Sequence, residues 1–206
     1  MGKYEVTQAQ YEAIMTGNTN SLSPTPSQWP GNPNRPVEKV SWDDAQVFLA
    51  RLNAAEQAAG RLPVGWAYVL PTESQWEYAC RAGTTTAYSW GSTIASSNAN
   101  YNWDGGEHDG NDFKQTRDVG QYASNPWGFF DMQGNVVEWT SDWYQAAYPT
   151  GNPVVDPTGP SSGSYRVRRG GSWYGGVASL RSAGRHSNTP SDRDFYLGFR
   201  VGFQKQ

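Results

Sequence analysis

Polar and apolar positions divide the chain near Gly83. Before it, three stretches carry helix signals. Thr7 with Gln10 three residues later frames a capping box for a first helix, QAQYEAIMT, and Gly17 is placed to end it. Ser41 with Asp44 caps a second helix, in which Ala45, Phe48, Leu49, Leu52 and Ala55 recur at three- and four-residue spacings on one face, running to about Gly60. Thr72 with Gln75 caps a third, carrying Trp76, Tyr78 and Cys80 and stopped by Gly83. Met1 to Val6, Val37 to Val40 and Tyr68 to Leu70 read as short strands, and the run from Asn18 to Pro36, with five prolines and no periodicity, as irregular surface chain. After Gly83 the helical signals stop. Val167 to Arg169 and Phe199 to Phe203 are the best strand candidates there, placed where they could pair. The pattern predicts an α+β fold with three helices in its first half, few short strands and long loops.

Composition sharpens this picture. The chain of 206 residues fits one domain, residues 1–206, and its 10 Trp, 12 Tyr and 7 Phe make the core rest on rings more than on aliphatic stripes. That ring content argues against disorder despite a mean hydropathy of −0.74. A net charge of −3 provides no electrostatic reason to expect nucleic acid, and Arg166, Arg168 and Arg169 read as a strand with outward arginines. No window is apolar enough for a membrane span, and the compartment is left open. Cys80 alone excludes an intramolecular disulfide framework and a multi-cysteine metal site; within a helical pattern it reads as a small buried side chain. Two histidines, His108 and His186, are too few for a three-histidine centre.

One stretch has an unusual composition. Between Tyr174 and Arg200 there is no Lys, Glu, Gln, Met or Trp, although the rest of the chain holds all ten tryptophans. Those five residue types are the ones that codons ending in a pyrimidine cannot specify. Fixed elements RRGGSW, RSA, Pro190 and LGFR enclose positions of varied character.

Six motifs in order, MGKYEVTQAQY, RPVEKVSWDDAQVF, LPTESQWEYACRAG, NPWGFFDMQGNVVEWTSDW, RRGGSW and LGFR, resemble the formylglycine-generating enzyme (sulfatase-modifying factor) domain across nearly the whole chain. The resemblance implies the loop-rich variant of the C-type lectin fold. Enzymes of that family oxidise a cysteine of a substrate protein with a cysteine pair after GGS and a copper ion, and soft thiolates are what Cu(I) requires. Here WYGGVASLRSAGR has no cysteine, so no catalytic residue and no copper are expected. The related iron-dependent sulfoxide synthases would need several histidines.

A further branch, the variable proteins of diversity-generating retroelements, is similar in the frame of this segment. In that branch adenines of a template are randomised, so that AAC codons become any codon ending in the same pyrimidine. The resemblance implies a non-catalytic protein that binds a ligand, expected to be a protein, through a variable surface at about 166–201. The candidate randomised positions are Tyr174, Gly175, Gly176, Ala178, Ser179, Gly184, His186, Ser187, Asn188, Thr189, Asp192, Asp194, Phe195 and Tyr196. Arg169, Gly170, Gly171, Trp173, Arg181, Arg185, Pro190, Gly198, Phe199 and Arg200 would hold the backbone. A competing reading of His186 and of Asn188 to Pro190 is the edge of the enzymes' substrate groove.

The resemblance also implies structural calcium. In FDMQGNVVEW it puts forward Asp131 and Glu138 as side-chain ligands with the carbonyls of Gly134 and Val136; the alternative is a turn in which Asp131 caps Asn135. A second site would use Asn100, the carbonyl of Tyr101, Asn111 or Asp112, and the carbonyl of Phe113, against the reading of WDGGEHDGNDF as a solvated loop. No Glu-Pro-Asn or Gln-Pro-Asp sugar signature and no phosphate-binding glycine loop is present. Trp90, Trp103, Trp127, Trp139, Trp143 and Trp173 read as core rings.

Overall fold

The computed structural model describes residues 1–102, 114–147 and 154–206. Three helices form where the capping boxes stand: α1 over Gln8–Met15, α2 over Trp42–Ala58 and α3 over Glu73–Arg81. In each, the cap hydroxyl accepts from the third helical N–H, and the side chain there returns a bond to the cap N–H. The α2 stripe faces inward at Ala45, Phe48 and Leu49, while Ala55 is exposed.

Four strands make the main sheet: β2 over Val137–Trp143, β3 over Arg166–Arg169, β4 over Arg185–Asn188 and β5 over Leu197–Phe199, in the order β4-β3-β2-β5. β2 is antiparallel to β3 and parallel to β5. A separate antiparallel pair joins β1, Trp66–Val69, to β6, Gly202–Lys205. The candidate strand Phe199 to Phe203 is therefore two strands in two sheets, and it does not pair with Val167 to Arg169 because β2 lies between.

Two expected strands are irregular. Met1 to Val6 touches the C-terminal segment by two separated bonds, Gly2 N–H to Val201 O at 2.7 Å and Val6 N–H to Phe199 O at 2.9 Å, too sparse for a ladder. Val37 to Val40 is interrupted by Lys39, whose φ of 59° lies in the left-handed region. Both segments are still central to the main core, where Val6, Val37 and Val40 join Tyr11, Phe48, Leu70, Trp139 and Phe199. Tyr11 stacks on Phe48 at 5.5 Å and meets Phe199 edge-on at 6.4 Å. Cys80 is fully buried beside Trp76, and burial pushes its thiol up to about 12.

Glu38 connects the core to the proline-rich segment. It is fully buried, and its carboxylate accepts from the backbone of Gln28 at 2.9 Å and Trp29 at 3.4 Å. Desolvation raises its pKa above the usual 4.5. Such a raised acid favours the native state below its unfolded pKa, and that contribution is lost as pH rises through the higher folded value. Glu38→Gln, which cannot ionise, is expected to be most destabilising near pH 4 (about 1 kcal/mol for a lost acceptor) and progressively less so towards pH 7, as read by urea unfolding at each pH. A penalty that grows with pH would contradict this.

Candidate functional site

Burial divides the segment from Arg169 to Arg200 only in part along its frame, since Arg181 is exposed and Arg185 and Pro190 are half-buried. None of the fourteen candidate variable positions is buried, whereas Gly170, Gly171, Ser172, Trp173, Leu180, Ser182, Gly198 and Phe199 between or around them are. Arg169 and Arg200 are both 0% exposed. Arg169 pairs with Glu77 and also approaches Glu73 of α3 at 3.4 Å, and its guanidinium donates to the Gly184 carbonyl. Arg185 forks onto the Glu73 carboxylate at 2.5 and 2.7 Å. The expected strand of outward arginines thus holds only in part: Arg169 turns into the core, and Arg166 lies between the rings of Trp42 and Trp143 at 3.7 and 3.4 Å. Arg181 is exposed and contributes its carbonyl, which accepts from Gly184 N–H at 2.7 Å. A further anchor, not anticipated from the frame, is Arg193, forked onto Asp44 at the start of α2 at 2.6 and 2.7 Å.

The candidate positions are not equally free. A Cβ on Gly184 would stand 2.9 Å from the Ser179 carbonyl oxygen, so any side chain there requires the backbone to shift. Asp192 accepts from Asn188, from Thr189 N–H and from the Thr189 hydroxyl, closing its own turn. Asp194 accepts from the Tyr196 hydroxyl at 2.9 Å.

Rings make a continuous patch on this surface. Tyr174, 56% exposed, stacks on Tyr196 at 5.9 Å and meets Phe195 edge-on at 5.4 Å. Phe195 packs on Trp173 at 5.6 Å, and Trp29 closes the underside against Trp173 at 5.2 Å. Trp29 comes from the proline-rich segment that Glu38 holds, a role the sequence pattern did not reveal. Of the other tryptophans expected in the core, Trp139 is fully buried, but Trp90 and Trp127 are exposed, each leaning on a tyrosine, Tyr88 and Tyr78. Trp103 lies outside the described residues.

Beside the ring patch a pocket of about 190 Å³ opens between β3, β4 and the turn after Trp173. Arg168, Ser172, Tyr174, Ser179, His186 and Tyr196 line it. Burial, with Arg168 and Arg169 nearby, holds the His186 imidazole below its usual value.

The stretch FDMQGNVVEW forms a second, buried polar cluster. Glu138 accepts from Arg200 through both oxygens at 2.6 Å each and from the Trp76 indole at 2.6 Å. Glu5 accepts from Asn135 and from Val136 N–H, and Asp131, in the left-handed region at φ 53°, accepts from Gly120 N–H at 2.6 Å. Burial is the first cause that raises both Glu5 and Asp131, the latter to about 6. Asp131 makes no bond that caps Asn135; Asn135 is instead tied to Asn100, Arg117 and Glu5. Against a cation the donors fit in kind, since three carboxylates face one guanidinium, but Glu138 is already engaged by Arg200. Among the described residues no group of three or more His, Cys, Asp or Glu is set to hold a metal ion. For the other implied site, Asn100 is buried and donates to Gln115 O and Asn135, while Asn111, Asp112 and Phe113 lie outside the described residues, as does His108.

Residues 1–204 match the sulfatase-modifying factor enzyme 1-like domain. The formylglycine-generating enzyme of Streptomyces coelicolor is 38% identical over 183 residues, covering 82% of this chain and 53% of the enzyme. A serine/threonine-protein kinase pkn1 of Chlamydia pneumoniae is 35% identical over 174 residues, 83% of this chain and 24% of the kinase. The chain thus spans about half the length of the formylglycine-generating enzyme it matches, and about a quarter of the kinase. Among solved structures, Treponema denticola variable protein 1 superposes with a TM-score of 0.77 at 26% identity, covering 100% of this chain and 84% of that protein. PvdO from Pseudomonas aeruginosa has the same TM-score at 25% identity, over 99% of this chain and 79% of that one. No helix among the described residues is long and apolar enough to cross a membrane. With one cysteine in the chain, the paired cysteines expected of the catalytic branch are absent, and the match over 1–204 shows that the chain belongs to the sulfatase-modifying factor enzyme 1-like family.

Proposed function

We propose that this chain is a non-catalytic binding module of the family, a variable protein of a diversity-generating retroelement whose surface between Tyr174 and Tyr196 recognises a protein ligand. The observation that carries the reading is the partition of one segment: none of the fourteen candidate positions is buried, while the glycines, Trp173, Phe199 and Arg200 of its frame are. Exposed Tyr174 among Gly, Ser and Asn is the mixture of rigid ring and adaptable polar groups used by binding loops. Treponema denticola variable protein 1, similar over the whole chain, adds to it. The test is genetic: a near-copy of the segment encoding Tyr174 to Arg200, rich in AAC and beside a reverse transcriptase gene, is expected, and its absence would overturn the retroelement assignment.

Side-chain removal separates a contact surface from a core. His186→Ala is expected to shift stability by no more than about 0.5 kcal/mol, as substitutions away from buried contacts do. Tyr174→Ala, Phe195→Ala and Tyr196→Ala lose ring contacts worth about 1 kcal/mol each. Thermal unfolding of the four variants checks this, and a large loss at Tyr174 would place that ring in the core.

The name shared by the Streptomyces relative favours one alternative, a formylglycine-generating oxidoreductase or an inactive accessory relative of it. Conversion of a cysteine-containing sulfatase peptide to the aldehyde would establish the enzyme.

Calcium belongs to the same proposal. Asp131, Glu5 and Glu138 lie about one guanidinium, an excess of carboxylates that a hard cation would balance, with the carbonyls of Gly134 and Val136 as the further ligands the resemblance implies; Glu138 would have to share itself with Arg200. An ion bound to the native state alone stabilises it by mass action, about 2.7 kcal/mol at a hundredfold excess over Kd. Chelation is therefore expected to lower the melting temperature and added calcium to restore it; an unchanged melting temperature would remove the metal.

A further inference from the structure

Arg168 is the arginine that lines the pocket of the candidate surface. Arg181 of the same segment is exposed to solvent, and the arginines that flank the pocket are engaged: Arg169 and Arg185 by glutamates of α3, Arg193 by Asp44, and Arg166 by two indoles and the Ser141 carbonyl at 2.6 Å. Among the described residues Arg168 has no ion-pair or hydrogen-bond partner; its Nε is buried without an acceptor, as are those of Arg166 and Arg169, but those two are engaged through their terminal nitrogens, and the nearest ring contact of Arg168 is Tyr196 at 5.7 Å. Two acids lie in its neighbourhood, Asp192 and Asp194, but Asp192 is committed to Asn188 and Thr189 and Asp194 to the Tyr196 hydroxyl. A buried donor without an acceptor is destabilising, the more so in a charged group, so the fold holds a site that an incoming acceptor would relieve.

The alternation of β3 places it there. Val167 and Arg169 point to the core, which turns Arg168 to the opposite face, across from His186 of β4 in the antiparallel register. Both then line the pocket with Ser172, Tyr174 and Tyr196. At about 190 Å³ the space is smaller than the roughly 300–1,000 Å³ of small-molecule sites, and it suits a single side chain.

We propose that Arg168 is a fixed anchor for a carboxylate of the protein ligand, an Asp or Glu side chain or a chain terminus, inserted into this pocket. The inference rests on the reading of this surface as a protein-binding one, and deepens it. A single planar guanidinium matches a carboxylate in a two-bond fork. Phosphate readers gather several arginines, whereas Arg168 is the one arginine in this pocket's lining, and Asp192 and Asp194 nearby oppose a dianion. Arg168 precedes Tyr174 and is outside the candidate variable positions, so every variant of the surface would keep the anchor while the surrounding rings and polar groups select the partner.

The experiment is a titration of the isotope-labelled chain, following the Nε–H resonance of Arg168 and the ring resonances of His186. N-acetylglutamate is the probe, N-acetylglutamine its uncharged control and inorganic phosphate the competitor class. A saturable shift with N-acetylglutamate, absent with N-acetylglutamine and abolished at His186 in Arg168→Met and Arg168→Gln, is expected. No saturable shift in the parent chain overturns the proposal, as does tighter saturation by phosphate, and neither result depends on a variant folding. The retroelement reading of this surface fails separately, by the absence of the AAC-rich near-copy, which leaves the titration unaffected.

Discussion

Arg200→Met should be the most damaging single change in this chain, lowering stability by about 3–5 kcal/mol, the loss typical of removing one partner of a buried ion pair. The pair is fully enclosed, at 0% and 1% side-chain exposure, and Arg200 meets both oxygens of Glu138. Two further effects add to the loss. Glu5 and Asp131 both act electrostatically on this site, and without Arg200 three carboxylates would share one buried volume. The guanidinium also donates to the carbonyls of Gly2, Lys3 and Phe130, so its removal leaves backbone acceptors unpaired. Adding Glu138→Gln, which removes the stranded charge yet keeps an acceptor for the Trp76 indole, should recover part of the loss. Urea unfolding of both singles and the double mutant measures the coupling. Strict additivity, or a single-mutant loss below about 1 kcal/mol, would show that Arg200 does not neutralise this cluster.

Gly198→Ala should be the second. Gly198 sits in the middle of β5 opposite Glu138, and a Cβ there would lie 2.5 Å from the Val37 carbonyl oxygen and 2.9 Å from the Val136 Cγ2. Neither neighbour yields easily, since the first is backbone and the second is buried in the core. Overpacking of this kind costs about 1–3 kcal/mol, occasionally more. A change of one methyl group at Gly198 is thus expected to exceed the loss of the whole Tyr174 ring. If denaturant midpoints place Gly198→Ala level with Tyr174→Ala, the division into buried frame and free surface is wrong at that position.

How much was legible follows from the range of the contacts. The three capping boxes are contacts between residues three apart, so chemistry readable along the chain determined where the helices start. The missing Lys, Glu, Gln, Met and Trp after Tyr174 are likewise a property of the chain alone, and they marked the segment whose candidate positions the fold leaves unburied. β2 was not legible, although it is central. Its Glu138, Thr140 and Asp142 are as buried as its apolar residues, so the usual alternation vanishes. Each is satisfied by a distant group: Arg200, the Val167 carbonyl and Glu73 N–H.

The same physics separates Arg168 from its neighbours. As sequence, Arg166, Arg168 and Arg169 are one basic cluster, and their spacing alone could establish only that a strand would divide them between faces. The tertiary structure decided their fates, because whether a guanidinium is stacked, paired or left open depends on which rings and carboxylates arrive from elsewhere. Trp42 and Trp143 came to Arg166, and Glu73 and Glu77 to Arg169. Arg168 faces the pocket with no carboxylate among the described residues within ion-pair distance. The sequence by itself determined the helices, the family and the two-part character of the C-terminal segment, all carried by residues near one another or by ordered motifs. Burial, the Glu138–Arg200 lock and the open guanidinium of Arg168 were decided by long-range packing, which sets dielectric and partner together and leaves no local signature.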